Sequence, residues 1–154
     1  MELLQFDIAD EKYVVALDDV DEILFMASSN PVPASPDFLH GVFNLHGVLL
    51  PLIELKYKLQ NHQASPVIDK QQYPDDTRIL VVSLKDCRIG VIIEGWRQLM
   101  NIEDHDLHQG VINDDGVPDW VNGIGIGSEG MLQMIRLKQI LNTQEQQLIR
   151  GLKI

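Results

Sequence analysis

Residues 41–55 read GVFNLHGVLLPLIEL, and how they fold sets the class of the whole chain. The stretch is strongly apolar, yet Gly41 opens it, His46-Gly47 interrupts it and Pro51 sits inside its second apolar run. A helix of this length would hold a glycine and a proline in its interior, and both destabilise helices. Two strands folded about His46-Gly47 avoid that. Residues 42–45 form one and residues 48–55 the other, with Val and Ile suited to a pleated surface. Gly47 has no Cβ and takes the positive φ that a tight reversal needs. Pro51 cannot donate to a ladder, so its strand needs an edge, a bulge or a barrel corner there.

Outward from this hairpin the pattern stays strand-like. Leu3, Leu4, Phe6 and Ile8 begin a strand, residues 9–12 form a polar turn, and residues 13–17 return. Residues 18–26 place acids before Val20, Ile23 and Leu24, the i, i+3, i+4 spacing of a short helix capped by Asp18 or Asp19. Three prolines between residues 28 and 36 predict an extended connector, and Ser35-Pro36 predicts one helical turn leading into Gly41. Residues 60–77 form a long polar loop. Residues 78–84 and 89–93 are Val- and Ile-rich strands buried on both faces, joined by a turn at Lys85-Asp86-Cys87. Trp96, Leu99 and Met100 continue in extended form. A turn-rich segment follows, with a reversal at residues 113–116, and residues 120–126 and 131–135 make a last hairpin. Residues 137–141 begin a helical segment. Thr143 and Gln146 have capping-box spacing ahead of a terminal helix carrying Leu148, Ile149 and Leu152 on one side. Many short strands at close spacing predict a β-rich barrel architecture.

Composition narrows the function. The 154 residues suit one domain or two small subdomains sharing a core. Acidic residues outnumber basic ones 23 to 12, a net charge of −11 that repels nucleic-acid phosphates and anionic lipid surfaces. Cys87 is the only cysteine, which excludes an internal disulfide and points to a reducing compartment. The acidic N-terminus has no signal-peptide pattern, and no run of about 18 apolar residues occurs. A soluble cytoplasmic protein without membrane insertion is expected.

The order of these segments resembles the CheW-like domain family, the coupling modules of bacterial chemotaxis. Gly41-Val42-x-Asn44-Leu45-x-Gly47 followed by Pro51-Leu52-Ile53-x-Leu55 resembles the family signature. Val20-x-Glu22-Ile23-Leu24, Ile79-Leu80-Val81-Val82, Gly90-Val91-Ile92-Ile93-Glu94 and the closing run from Leu132 to Leu141 resemble further family segments in the expected order. The resemblance implies a mainly β fold of two intertwined five-stranded SH3-like barrel subdomains, with short helices and a C-terminal helix. Residues 1–154 would form a single CheW-like domain with a polar loop at 60–77. It further implies a noncatalytic scaffold with no cofactor and no metal, bridging chemoreceptor cytoplasmic tips to the regulatory domain of a histidine kinase. Three departures stand out: His46 occupies the place of the family's usual arginine, Ile93-Glu94-Gly95-Trp96 replaces a V-D-x-V segment, and the middle loop is long.

Candidate sites divide between contact and scaffold. Glu22, Asn44, His46 and Gly47 are the expected protein-binding residues, and Gly41, Pro51 and Gly90 the structural ones. His46 is either a partner contact or an exposed turn residue without a role. Glu22 either pairs with a basic partner group or simply favours a helix dipole. The Gly125-x-Gly127-x-x-Gly130 match to a dinucleotide fingerprint is read as a hairpin turn, because a strand rather than a helix follows it. His105 and His108, with Asp104 and Asp106, offer a metal too few ligands. Cys87 reads as a structural thiol, and Trp96 and Trp120 as core residues. The terminal stripe of Leu141, Leu148, Ile149 and Leu152 packs on its own domain, with binding of a partner, or weak self-association with a second copy, as the alternative. A divergent domain serving another signalling assembly, and a small-molecule-binding barrel, are the competing functions.

Overall fold

The computed structural model describes residues 2–8, 11–32, 36, 38–59, 73–85, 87–101, 107–108, 121–127 and 130–152. Along them run β1 (Glu2–Ile8), β2 (Glu11–Ala16), a 3-10 turn (Leu17–Asp19), β3 (Glu22–Phe25), β4 (Leu39–Leu45), β5 (Val48–Glu54) and α1 (Leu55–Leu59). Then come β6 (Arg78–Ser83), β7 (Arg88–Ile93), β8 (Trp96–Asn101), β9 (Leu107–His108), β10 (Val121–Gly127), β11 (Gly130–Ile135), a second 3-10 turn (Leu137–Gln139) and α2 (Thr143–Arg150).

The strands form two sheets, and the chain is interleaved between them. β1 and β2 join the C-terminal strands in a six-stranded sheet ordered β8-β1-β2-β11-β10-β9, while the middle of the chain forms a five-stranded sheet ordered β3-β6-β7-β5-β4. The sixth strand of the first sheet is the two-residue β9. In the second sheet, the chain beyond β3 returns to the opposite edge. There Asn30 exchanges backbone hydrogen bonds of 2.9 and 2.8 Å with Val42 of β4. That bridge curls the sheet toward a barrel. It also brings backbone against Gly41, where a Cβ would lie 2.8 Å from the Asn30 carbonyl oxygen.

Burial explains the dense apolar strands. Leu80 and Val82 of β6 face a shared core with Leu4, Phe6 and Val15 of the first sheet, whereas Ile79 and Val81 face an inner core with Leu45, Leu50 and Leu52. Alternate residues of one strand therefore fill two different cores, so both faces are apolar. A third cluster, Leu3, Val14, Leu132 and Met134, lies on the far side of the first sheet. Gly90 permits close packing within the inner core: a Cβ there would meet Leu52 Cδ2 at 2.6 Å and Ile79 Cγ2 at 2.9 Å.

The central hairpin forms about His46 (φ 52°) and Gly47 (φ 88°). Two positive φ angles in a two-residue loop make the type I′ turn whose twist matches its strands. Pro51 faces Val42 across the hairpin. Because Val42 directs its N–H and C=O toward Asn30, this is a non-hydrogen-bonded pair, and the prolyl nitrogen points away from β4. The β7 ladder on that other side begins only at Leu52, so the missing donor leaves no gap.

Three local expectations change. Residues 18–26 form a 3-10 turn and then β3, which pairs with β6 from Glu22↔Val81 to Phe25↔Arg78. The helical spacing was weaker than the demand of β6 for a partner, and Ile23 and Leu24 now reach different cores. Where one helical turn was expected, Leu39 N–H donates to Pro36 O at 3.1 Å ahead of β4, while Ser35 and Asp37 lie outside the described residues. Leu55 begins α1 rather than ending a strand. The terminal capping box starts one residue earlier, at Asn142 with Glu145, and Leu148 is exposed while Ile149 is buried. Residues 60–72, the reversal at residues 113–116, His105 and Trp120 lie outside the described residues.

A candidate protein-interaction surface

The hairpin tip is shaped by a local hydrogen bond. Asn44 Oδ1 accepts a 2.8 Å hydrogen bond from Gly47 N–H, closing an Asx-type turn beneath His46. Asn44, His46 and Gly47 are all exposed and lie in one turn. The oxygen of Asn44 is thus committed to shaping the turn, and His46 is the side chain displayed.

Beside the tip, Val48 is 58% and Leu49 39% exposed, an unusual pair of large apolar side chains at the start of a strand. They border an apolar groove of about 290 Å³ walled by Pro51, by Cys87 and Arg88 at the start of β7, and by Ile149 and Leu152 at the end of α2. Cys87 is half-buried here as part of that wall.

Strand directions extend the surface to Glu22. β3 and β7 both run antiparallel to β6, and β7 runs parallel to β5. The start of β3, the β6–β7 turn and the hairpin tip therefore share one end of the barrel. Glu22, half-buried on β3, stands next to Asp21. Asp21 Oδ2 accepts a hydrogen bond from Ser83 Oγ and lies 3.8 Å from Arg88 Nε. The sequence-predicted contact residues thus gather at one end, with Glu22 reached across β6 and β7. Apolar hairpin residues are expected from the sequence to supply contact area, but Val48 and Leu49 are not singled out there, and Cys87 and Arg88 are not among the expected contacts. The two adjacent apolar residues following a turn were the available signal.

A further exposed apolar residue marks the opposite end of β3. Phe25 is 77% exposed, and the Arg78 guanidinium sits 4.6 Å from its ring centroid and 6.0 Å from that of Trp96. Trp96 is half-buried and packs against the shared core. This stack orients Arg78, whose Nη1 also donates to the carbonyls of Asp75 and Thr77.

Glu94, just before this tryptophan, has a carboxyl whose titration is displaced. Desolvation pushes its pKa up, and the negative charges of Glu54 and Asp76 add to this, against a lowering by Lys56, 3.9 Å away. The folded protein therefore holds a proton on Glu94 more tightly than the unfolded chain does. Stability associated with Glu94 is complete below the ordinary glutamate range and is lost as pH rises through the elevated value. Glu94→Gln is accordingly expected to raise the thermal midpoint at pH 7 and to leave it unchanged at about pH 3.5. Paired thermal melts check this, and an equal shift at both pH values would contradict it.

No group of three or more His, Cys, Asp or Glu positioned to hold a metal occurs among the described residues. After Gly130 the chain continues as β11, and Gly127 pairs with Gly130 across the hairpin, so no helix N-terminus faces the glycines.

Comparison with known proteins points one way. The family model described as the CheW-like domain matches residues 2–145. The chain is 28% identical over 148 residues to the chemotaxis protein CheW of Helicobacter pylori, covering 92% of this chain and 81% of that one. It is 24% identical over 149 residues to the chemotaxis protein CheW of Klebsiella aerogenes, covering 96% and 86%. In structure it resembles the scaffolding protein TtCheW from Thermoanaerobacter tengcongensis, with a TM-score of 0.74 at 24% identity, covering 94% of this chain and 89% of that one.

Proposed function

Given that the chain belongs to the CheW-like domain family, we propose that it is a noncatalytic adaptor that couples chemoreceptors to a histidine kinase in chemotaxis-type signalling. The observation that carries this reading is the exposed Val48-Leu49 pair on the hairpin beside an apolar groove. A surface of that kind suits protein recognition, where a few buried apolar anchors supply affinity and flanking polar groups set register. Val48 and Leu49 supply area, while His46, Glu22 and the Asp21–Arg88 pair supply the rim. The acidic balance of the chain disfavours nucleic acid as a partner, and no described helix is long and apolar enough to cross a membrane.

Titration calorimetry with a kinase regulatory domain and with a receptor cytoplasmic tip tests the proposal. Binding to at least one is expected at concentrations up to about 100 µM, a generous range for a transient interface. Silence with both partners sinks the coupling role. A second reading, a related assembly with different partners, is favoured by His46 standing exposed at the tip in place of a permanently charged arginine. Under that reading His46→Arg gains binding to the standard kinase domain in the same calorimeter.

A further inference from the structure

We propose that buried His40, Glu54 and Tyr73 form a polar tie that positions the β4–β5 hairpin, an inference that rests on the hairpin being the contact surface. Leu39 faces Ile53 and Gly41 faces Leu52, so His40 is an extra residue on β4. Such a bulge redirects a side chain that regular pairing would place elsewhere. The His40 side chain is 0% exposed, and it meets Glu54, the last residue of β5, and Tyr73, which precedes β6.

Three contacts close a triangle. The Tyr73 hydroxyl lies 3.2 Å from His40 Nε2 and donates to Glu54 Oε2 at 3.4 Å, and His40 Nδ1, which makes no hydrogen bond among the described residues, lies 3.4 Å from the same carboxylate oxygen. The two rings meet edge to face with centroids 6.0 Å apart. Tyr73 also packs in the inner core with Leu45, Leu50 and Leu52 of the hairpin strands.

Directionality is what the tie adds. Apolar packing tolerates small slips, whereas buried polar groups lose heavily when a partner moves out of reach. From Gly41↔Leu52 to Leu45↔Val48 the pairing runs without another irregularity. Whatever sets the bulge therefore sets which face carries Asn44 and Leu49. His40, Glu54 and Tyr73 are positioning residues that touch no partner themselves.

Tyr73→Phe keeps the ring and removes only the hydroxyl. Residue-resolved amide hydrogen exchange should show protection falling about tenfold at Phe43, Leu45, Val48 and Leu50, whose amides bond across the hairpin. Protection in β1 and β2 should change less than about twofold. His40→Gln should act in the same direction, and the two substitutions together should add little to either alone, since each breaks one shared network. Equal loss across both sheets would reduce the tie to ordinary core packing and overturn the proposal, as would unchanged exchange in the hairpin. The adaptor reading fails separately, if the wild-type protein binds no partner while the localised exchange response is present. The tie fails alone if the partner binds and Tyr73→Phe leaves hairpin exchange as it was.

Discussion

Gly95→Ala is expected to remove about 3 kcal/mol or more of folding stability, the largest effect of a methyl group added at any glycine whose surroundings are described. Gly95 joins β7 to β8 with φ +70°. That conformation alone disfavours an L-residue by about 1 kcal/mol. Steric overlap costs more. A Cβ would lie 2.1 Å from the Asp7 carbonyl oxygen, 3.0 Å from its carbon and 3.1 Å from its nitrogen. All three atoms are backbone, so no rotamer change relieves the clash. Retreat of β1 would break the 2.9 Å hydrogen bond from Asp7 N–H to Gly95 O. It would also pull on Phe6, which pairs with Trp96 and is fully buried in the shared core. Urea denaturation measures the change, with a lowered midpoint at constant slope expected. A loss below about 1 kcal/mol would show that the β1–β8 seam yields freely, contrary to this packing.

Leu49→Asp should lower affinity for the partner by about 100-fold, with folding stability changed by about 1 kcal/mol at most. Leu49 stands at the mouth of the groove and is 39% exposed in the free protein. Its removal therefore leaves little cavity in the monomer. In a complex its side chain would be desolvated against apolar partner surface, and a carboxylate placed there would lose its hydration without compensation. Calorimetry against the partner, paired with a denaturation curve, separates the two effects. Unchanged affinity would remove the hairpin from the interface and turn attention to Phe25, the most exposed large apolar residue described. An equal fall in affinity and stability would instead mean that Leu49 is needed for the fold.

Several elements were legible from residue types because the forces that shape them are local. His46-Gly47 between apolar runs specifies its turn through backbone φ preference, whatever surrounds it. The unbroken Val and Ile runs of β6 and β7 announced burial on both faces, and the two cores they fill are the reason. The hairpin tip was found for the same reason. The groove was not, because Cys87, Arg88 and Leu152 are distant in sequence from Val48 and come together only at one end of the barrel.

Periodicity misled where a neighbour outweighed it. Residues 18–26 carry helical spacing, but β6 presents a row of backbone donors and acceptors that β3 satisfies, and the sheet wins. Helical patterning puts Leu148 on one side with Ile149 and Leu152, yet in α2 Leu148 is 48% exposed while Ile149 is buried.

Local chemistry in the chain was thus enough to establish a mainly β protein, its central reversal and most of its strands, because turn preference and side-chain alternation act over a few residues. Tertiary structure alone decided that residues 22–25 are a strand, that Asn30 bridges to Val42 at the far edge of the sheet, and that His40 turns inward to Glu54 and Tyr73. Those outcomes depend on unpaired backbone edges and buried polar groups finding partners far along the chain, and no window of neighbouring residues contains that information.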